Sequence, residues 1–323
     1  LSILLQRIRS HACAEAIPSN GMAFGSTRRV RAFASVADIL FPIKRKLGKG
    51  LHMENFEFVS PTHFVFGRDA EQKVGAKLAE RGAARVLLHY GGSSAVKCGL
   101  IDRVKASLAE AGIVCVELGG VRPNPEITLV REGVALCKRE GVDWILAVGG
   151  GSVIDSAKAI ANGACIDEDV WELFETKRPN PHVLPIAVVL TIPAAGSEAS
   201  KNTVISNDEL QRKSGYGNDF QRPKLAFMNP ELTFTLPEYQ TAAGITDMFA
   251  HLLERFFDDM GAVPVTDNLN LSLMRTVRAE APRVLVDPEN YEARANIMWA
   301  GMLCHQGLAG VGRHEDWATH ALE

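Results

Sequence analysis

From Phe56 onward, short apolar runs that end in glycine or serine alternate with longer stretches whose apolar residues recur at helical spacing. The pattern predicts strands over 63–66, 85–90, 114–118, 144–148 and 185–192. It predicts helices over 72–81, 100–111, 125–140 and 153–161, with Gly82 and Gly112 as stops. Strands separated by helices of about ten residues or more imply right-handed parallel βαβ crossovers, which place ligands at the C-terminal strand ends. Beyond Pro237 the pattern is almost continuously helical, so a domain boundary is expected near 235–237. The expectation is an α/β domain over 53–236 and the start of a helical domain over 237–323.

Within this frame the run Trp144-Ile-Leu-Ala-Val-Gly-Gly-Gly-Ser-Val-Ile-Asp-Ser-Ala-Lys158 stands out, because an apolar strand runs into glycines 149, 150 and 151 and then into helical spacing. Glycines let the backbone approach an anion closely. Ser152 is expected to cap a helix beginning near Val153, whose positive end would attract a pyrophosphate. The same sequence also suits a βα turn that binds nothing. A second glycine-rich strand end, Gly91-Gly-Ser-Ser94, falls on the same sheet edge and would face the same ligand, and Pro193-Ala-Ala-Gly-Ser-Glu198 is a third loop of small residues.

Composition narrows the function. A net charge of -3 in 323 residues excludes the basic excess of a nucleic-acid-binding surface. No uncharged apolar run reaches the roughly 18 to 20 residues of a membrane-spanning helix. The 6 cysteines (Cys13, Cys98, Cys115, Cys137, Cys165 and Cys304) are scattered without a CxxC pair, which predicts free, mostly buried thiols in a reducing compartment such as the cytoplasm. Residues 1–52 differ in texture: basic, poor in acids and rich in Ser and Ala, they read as a disordered tail, a segment outside the mature protein, or an organelle-targeting sequence.

In the helical part, Asp247 and His251 are spaced i, i+4, which puts a carboxylate and an imidazole side by side on one helix face. That pair suits a divalent metal, and equally a simple Asp–His hydrogen bond. His305, His314 and His320 are candidates to complete a site, and spacing does not choose among them.

Taken in order, Gly149-Gly-Gly-Ser-Val-Ile-Asp-Ser-Ala-Lys158, Thr191-Ile-Pro-Ala-Ala-Gly-Ser-Glu198, Asn229-Pro-Glu-Leu-Thr-Phe-Thr-Leu-Pro237, Gly244-Ile-Thr-Asp-Met-Phe-Ala-His251 and Ala293-Arg-Ala-Asn-Ile-Met-Trp299 resemble the iron-containing alcohol dehydrogenase family in its butanol dehydrogenase and aldehyde reductase branch. The resemblance covers the chain from about Met53 to its end. It implies a Rossmann-like dinucleotide-binding domain followed by an all-α metal-binding domain, truncated here, and metal-dependent hydride transfer between NADP(H) and a primary alcohol or aldehyde. It assigns Asp247, His251 and His320 as metal ligands for Fe2+, with Zn2+ as the alternative. The family's fourth ligand is a histidine further downstream, so the chain is expected to carry an incomplete helical domain. An inactive nucleotide-binding fragment is the alternative.

By the same resemblance Gly150, Gly151, Ser152 and Asp155 hold the cofactor pyrophosphate, while Asn124, Thr191 and Lys213 line the dinucleotide. Gly92 and Ser93, in Tyr90-Gly-Gly-Ser-Ser94, decide the cofactor: no acid stands there to hold a ribose hydroxyl and repel a 2′-phosphate, and Lys97 is near, so NADP is favoured over NAD. The family loop Thr-Gly-Ser-Glu reads Ala195-Gly-Ser-Glu198 here, which weakens one presumed cofactor contact without removing the site. A homodimer is a family-level expectation. No acid or base catalyst is assigned. A lyase of the dehydroquinate synthase type would need a denser basic cluster than His251 and Arg255, all that 241–260 offers.

Overall fold

The computed structural model of the protein describes residues 53–258, 262–315, 317, 318 and 320; the basic segment 1–52 and Cys13 lie outside them. Six parallel strands form the central sheet: β1 (His63–Phe66), β2 (Arg85–Tyr90), β3 (Val114–Leu118), β4 (Trp144–Gly149), β5 (Ile186–Leu190) and β8 (Leu225–Met228), in the order β1-β8-β5-β4-β2-β3. Strand β4 is buried at every position, as a central strand covered on both faces must be.

The faces sort by the two-residue period. Leu87, Ile145, Ala147 and Val188 pack on one side with helices α4 (Ile127–Glu140) and α5 (Gly151–Gly163). Val86, Leu88, Leu146, Val148 and Val189 pack on the other with α1 (Val74–Ala79) and α3 (Leu100–Glu110). After β2 the chain adds β3 on one side, then crosses back to place β4 on the other. The strand order therefore reverses between β2 and β4, and a crevice opens there beyond their C-terminal ends.

Several elements differ from the sequence expectation. The helix expected over 72–81 is a 3-10 turn, Ala70–Lys73, running into α1. Short helices α2 (Ser93–Lys97) and α6 (Trp171–Thr176), the antiparallel hairpin of β6 (Asn202–Asn207) and β7 (Arg212–Gly217), and strand β8 were not anticipated. Helix α5 starts at Gly151 with the extended Gly150 as its cap, so Ser152 sits inside the first turn and caps nothing. Cys137 and Cys304 are buried free thiols, but Cys98 is exposed on a surface turn.

From Glu238 on, the described chain is built of α7 (Glu238–Phe256), α8 (Pro264–Val286) and α9 (Tyr291–His305), packed around Met248, Leu252, Leu273, Val277, Ile297 and Cys304. No helix among the described residues is long and apolar enough to cross a membrane. Two glycines seat this part on the loop after β5. A Cβ at Gly244 would stand 2.6 Å from the Pro193 carbonyl oxygen, so only glycine lets α7 come this close. Gly196 has φ +56° and its Cβ would meet that of His305 at 2.9 Å. One turn beyond Gly244, Asp247 is therefore delivered to the C-terminal edge of the sheet.

His89, on β2, ties this edge together. Its Nδ1–H donates to the Leu118 carbonyl at 2.8 Å, and Nε2 accepts from the Ser156 hydroxyl at 2.9 Å. Burial pushes its pKa down to about 4, so the folded protein holds the ring neutral. The unfolded chain takes a proton below about pH 6.5 and the folded chain does not until about pH 4, so stability present above pH 6.5 is lost as pH falls through that window. The loss from this ring is expected to reach roughly 3 kcal/mol. Urea unfolding at pH 7 and pH 4.5 checks it: His89→Gln should shrink the wild-type difference by most of that amount. An equal pH dependence in both proteins would refute it.

Candidate active site

The residues expected to line a dinucleotide fall on several separate elements. Gly92 precedes α2 at the end of β2, where Ser93 begins that helix, and Gly150 and Gly151 open α5 at the end of the neighbouring β4. Thr191 follows β5, and its N–H donates to the Gly149 carbonyl at 3.1 Å. Asn124 takes the left-handed conformation, φ 56°, in the exposed turn before α4. The Ser206 N–H donates to the Pro125 carbonyl at 2.9 Å, and Lys213 lies opposite Ser206 across the hairpin. The turn of Asn124 and the exposed Lys213 thus flank the same hairpin.

A cavity of 590 Å³ lies between the sheet edge and the helical part. Asp155, Ser197, Thr203 and Tyr216 line one end; Asp247, His251, His305, Trp317 and His320 line the other. Of the expected cofactor residues, only Asp155 lines this space. The rest lie outside it: Gly92, Ser93, Gly150, Gly151, Ser152 and Thr191 at or just after the ends of β2, β4 and β5, Asn124 in the turn before α4, and Lys213 on β7.

A buried polar network backs the first end. Asp155 accepts hydrogen bonds from the Ser197 hydroxyl at 2.7 Å and the Val204 N–H at 2.9 Å. Lys158 Nζ donates to Ser197 Oγ and the Asn202 carbonyl, each at 2.8 Å. Burial raises the Asp155 pKa, lowers that of Lys158 to about 8 and lifts that of Glu198 to about 7. The sequence reading did not assign roles to Lys158, Ser197 or Glu198. The i, i+3 spacing of Asp155 and Lys158 was the available signal.

At the second end, Asp247, His251 and His320 each offer a ligand atom, all within 4.8 Å of one another. His251 Nδ1–H donates to the Asp247 backbone carbonyl at 2.8 Å, while the Asp247 carboxylate stands 3.5 Å from that nitrogen. The Asp–His pair is therefore not closed on itself, and the carboxylate lies 3.4 Å from His320 Nε2. Burial, with Arg255 and His320 adding to it, pushes the His251 pKa down to about 3, which keeps the ring in the neutral form a metal needs. His320 Nδ1 bonds the Glu254 carboxylate, which also accepts from the His320 backbone N–H at 3.2 Å. Two imidazoles and one carboxylate fit Fe2+ or Zn2+.

Two residues outside the assigned set belong to this end. His305 brings its ring centroid to 4.2 Å from that of His251, whereas the exposed His314 pairs with Glu54 away from the cavity. Burial, then His251 and Arg255, holds the His305 pKa well below the usual value. Arg255 is buried and donates to both His251 and Cys304 carbonyls at 3.0 Å. Glu254 and Arg255 were legible in principle, since they follow His251 at i+3 and i+4.

Two adjoining family models match the chain: iron-containing alcohol dehydrogenase over 61–230, and the C-terminal model of the Fe-containing alcohol dehydrogenase family over 241–323. The chain is 42% identical over 271 residues to a probable NADH-dependent butanol dehydrogenase 1 of Bacillus subtilis, covering 84% of this chain and 70% of that protein. It is 36% identical to the NADPH-dependent aldehyde reductase YqhD of Escherichia coli, covering 84% and 70%. Among solved structures, NADH-dependent butanol dehydrogenase A of Thermotoga maritima superposes with a TM-score of 0.81 at 41% identity, covering 84% of this chain and 68% of that one.

Proposed function

The chain belongs to the iron-containing alcohol dehydrogenase family, and on that premise we propose that it reduces aldehydes to primary alcohols, reversibly, with NADP(H) and a divalent metal held by Asp247, His251 and His320. The relatives are alcohol and aldehyde oxidoreductases acting on small molecules. One observation carries the reading: a single cavity has Asp155, from the helix that follows the glycine turn, on one wall and all three metal-ligating side chains on the other. In this reading 53–236 hold the dinucleotide and the residues from 237 on begin the metal-binding half.

When bound, the ion acts as a Lewis acid on the substrate oxygen and the dinucleotide carries the hydride. The reaction balances as aldehyde, NADPH and a proton giving primary alcohol and NADP+. The protein's own part is placement. His251 and His320 present Nε2, Asp247 supplies the negative charge, and the strand-end loop and Trp317 line the space beside them. Among the described residues the cavity lining includes no lysine or arginine, which suits a neutral aldehyde and disfavours the anionic substrate of a synthase.

For the cofactor, no acid stands between Tyr90 and Lys97 to repel a 2′-phosphate. The relatives divide on this point, two of those named above taking NADH and one NADPH. Steady-state oxidation of NADPH and NADH with butanal, using protein loaded with iron or zinc, tests both levels. The expected result is a kcat/KM at least about tenfold higher with NADPH, about 1.4 kcal/mol. A preference for NADH overturns the cofactor assignment; no turnover of any short aldehyde overturns the function.

A further inference from the structure

Three imidazoles line the far end of the cavity, and the partner at Nδ1 sorts them. For His251 that partner is the Asp247 carbonyl at 2.8 Å, and for His320 it is the Glu254 carboxylate. Both partners accept, so both Nδ1 atoms carry a hydrogen and it is Nε2 of each ring that is left to meet a metal. For His305 the partner is Arg255 Nη2 at 2.9 Å, which has only hydrogens to give. Its Nδ1 must therefore accept, and the hydrogen of the neutral ring must sit on Nε2.

Arg255 has no freedom to turn away. Its Nε donates to Glu315 at 2.9 Å, its Nη1 to the His251 and Cys304 carbonyls at 3.0 Å, and its guanidinium lies 4.6 Å over the Trp317 ring. The arginine thus excludes His305 from metal coordination, which needs the lone pair that its Nε2–H occupies. That N–H has no protein partner among the described residues, and the ring lines the cavity.

Building on the metal reading above, we infer that His305 is a catalytic residue and not a ligand: its Nε2–H donates to the substrate oxygen beside the metal, where negative charge gathers during reduction. The bond stabilises that charge without the ring losing its proton. A fixed donor of this kind is worth on the order of 100-fold in kcat.

The test compares wild type, His305→Leu, His305→Gln and His320→Ala, each loaded with Co2+ or Zn2+. Metal affinity is read by chelator competition, the ligand field by the Co2+ absorption spectrum, and kcat and KM with butanal. His305→Leu should keep wild-type metal affinity and an unchanged Co2+ spectrum while kcat falls roughly 100-fold with little change in KM. His305→Gln, which restores an N–H donor, should recover most of that loss, and His320→Ala should lose metal. Weakened metal binding and an altered spectrum in His305→Leu would make it a ligand and overturn the inference, as would unchanged kcat with the metal intact. Failure of the wild type to bind metal would instead sink the reading on which the inference rests. Should His305→Leu fail to fold, His305→Met fills similar volume with a flexible apolar chain and decides the same question.

Discussion

Replacing His251 by alanine is expected to abolish tight metal binding and to lower kcat/KM for butanal reduction by at least about 1000-fold, roughly 4 kcal/mol of transition-state stabilisation. The size follows from the geometry. In the proposed site His251 is the central ligand: it is buried, its Nδ1 is fixed by the Asp247 carbonyl, and its ring lies 4.6 Å from that of His320. Without it, Asp247 and His320 alone make a bidentate site open to water. Glu254→Gln should be milder. The carboxylate that orients His320 becomes a neutral amide, and metal affinity should fall about 10-fold to 100-fold, with activity recovered at saturating metal. Chelator competition and kcat/KM at several metal concentrations check both. Retention of tight metal by His251→Ala would show that the ion sits elsewhere.

The parallel sheet was legible because its central strands are apolar on both faces. Strand β4 is an unbroken run ending in glycine, and no helical period fits it. Strand β8 escaped because four apolar residues between Pro223 and Asn229 carry no period of their own; pairing with β1 and β5 makes them a strand. The β6–β7 hairpin escaped for the opposite reason. Asn202, Asn207, Arg212 and Gly217 at its ends are poor strand formers, held by the ladder and by the bond from Ser206 to Pro125.

At the candidate site the same division holds. Asp247 and His251 lie on one helix, so local spacing exposes them. His320 is 66 residues from Glu254, and only tertiary packing sets it there. Spacing treated His305, His314 and His320 alike. What separates them is which group each imidazole meets, and those groups come from other elements: Glu254 and Arg255 from α7, Glu54 from the segment before β1.

Arg255→Leu is expected to destabilise the protein by about 3 kcal/mol, read from urea unfolding at pH 7. The guanidinium is buried, and its donors serve four acceptors on three stretches of chain: His251 on its own helix, Cys304 and His305 at the end of α9, and Glu315. Leucine fills much of the volume but leaves the Cys304 carbonyl and His305 Nδ1 without that donor and removes the cation from the Trp317 face. The Glu315 side chain is 32% exposed and regains water, which holds the cost to the lower end of the range for breaking a buried pair. A change under about 1 kcal/mol would show that the clamp is dispensable. Arg255→Lys separates stability from chemistry. It keeps the charge but presents one ammonium where a planar fork met several acceptors, so His305 should lose its enforced tautomer even where the fold survives. Its kcat loss should then overlap with that of His305→Leu, so that the double variant is little worse than either single one. Full additivity of the two losses would show that Arg255 does not act through His305.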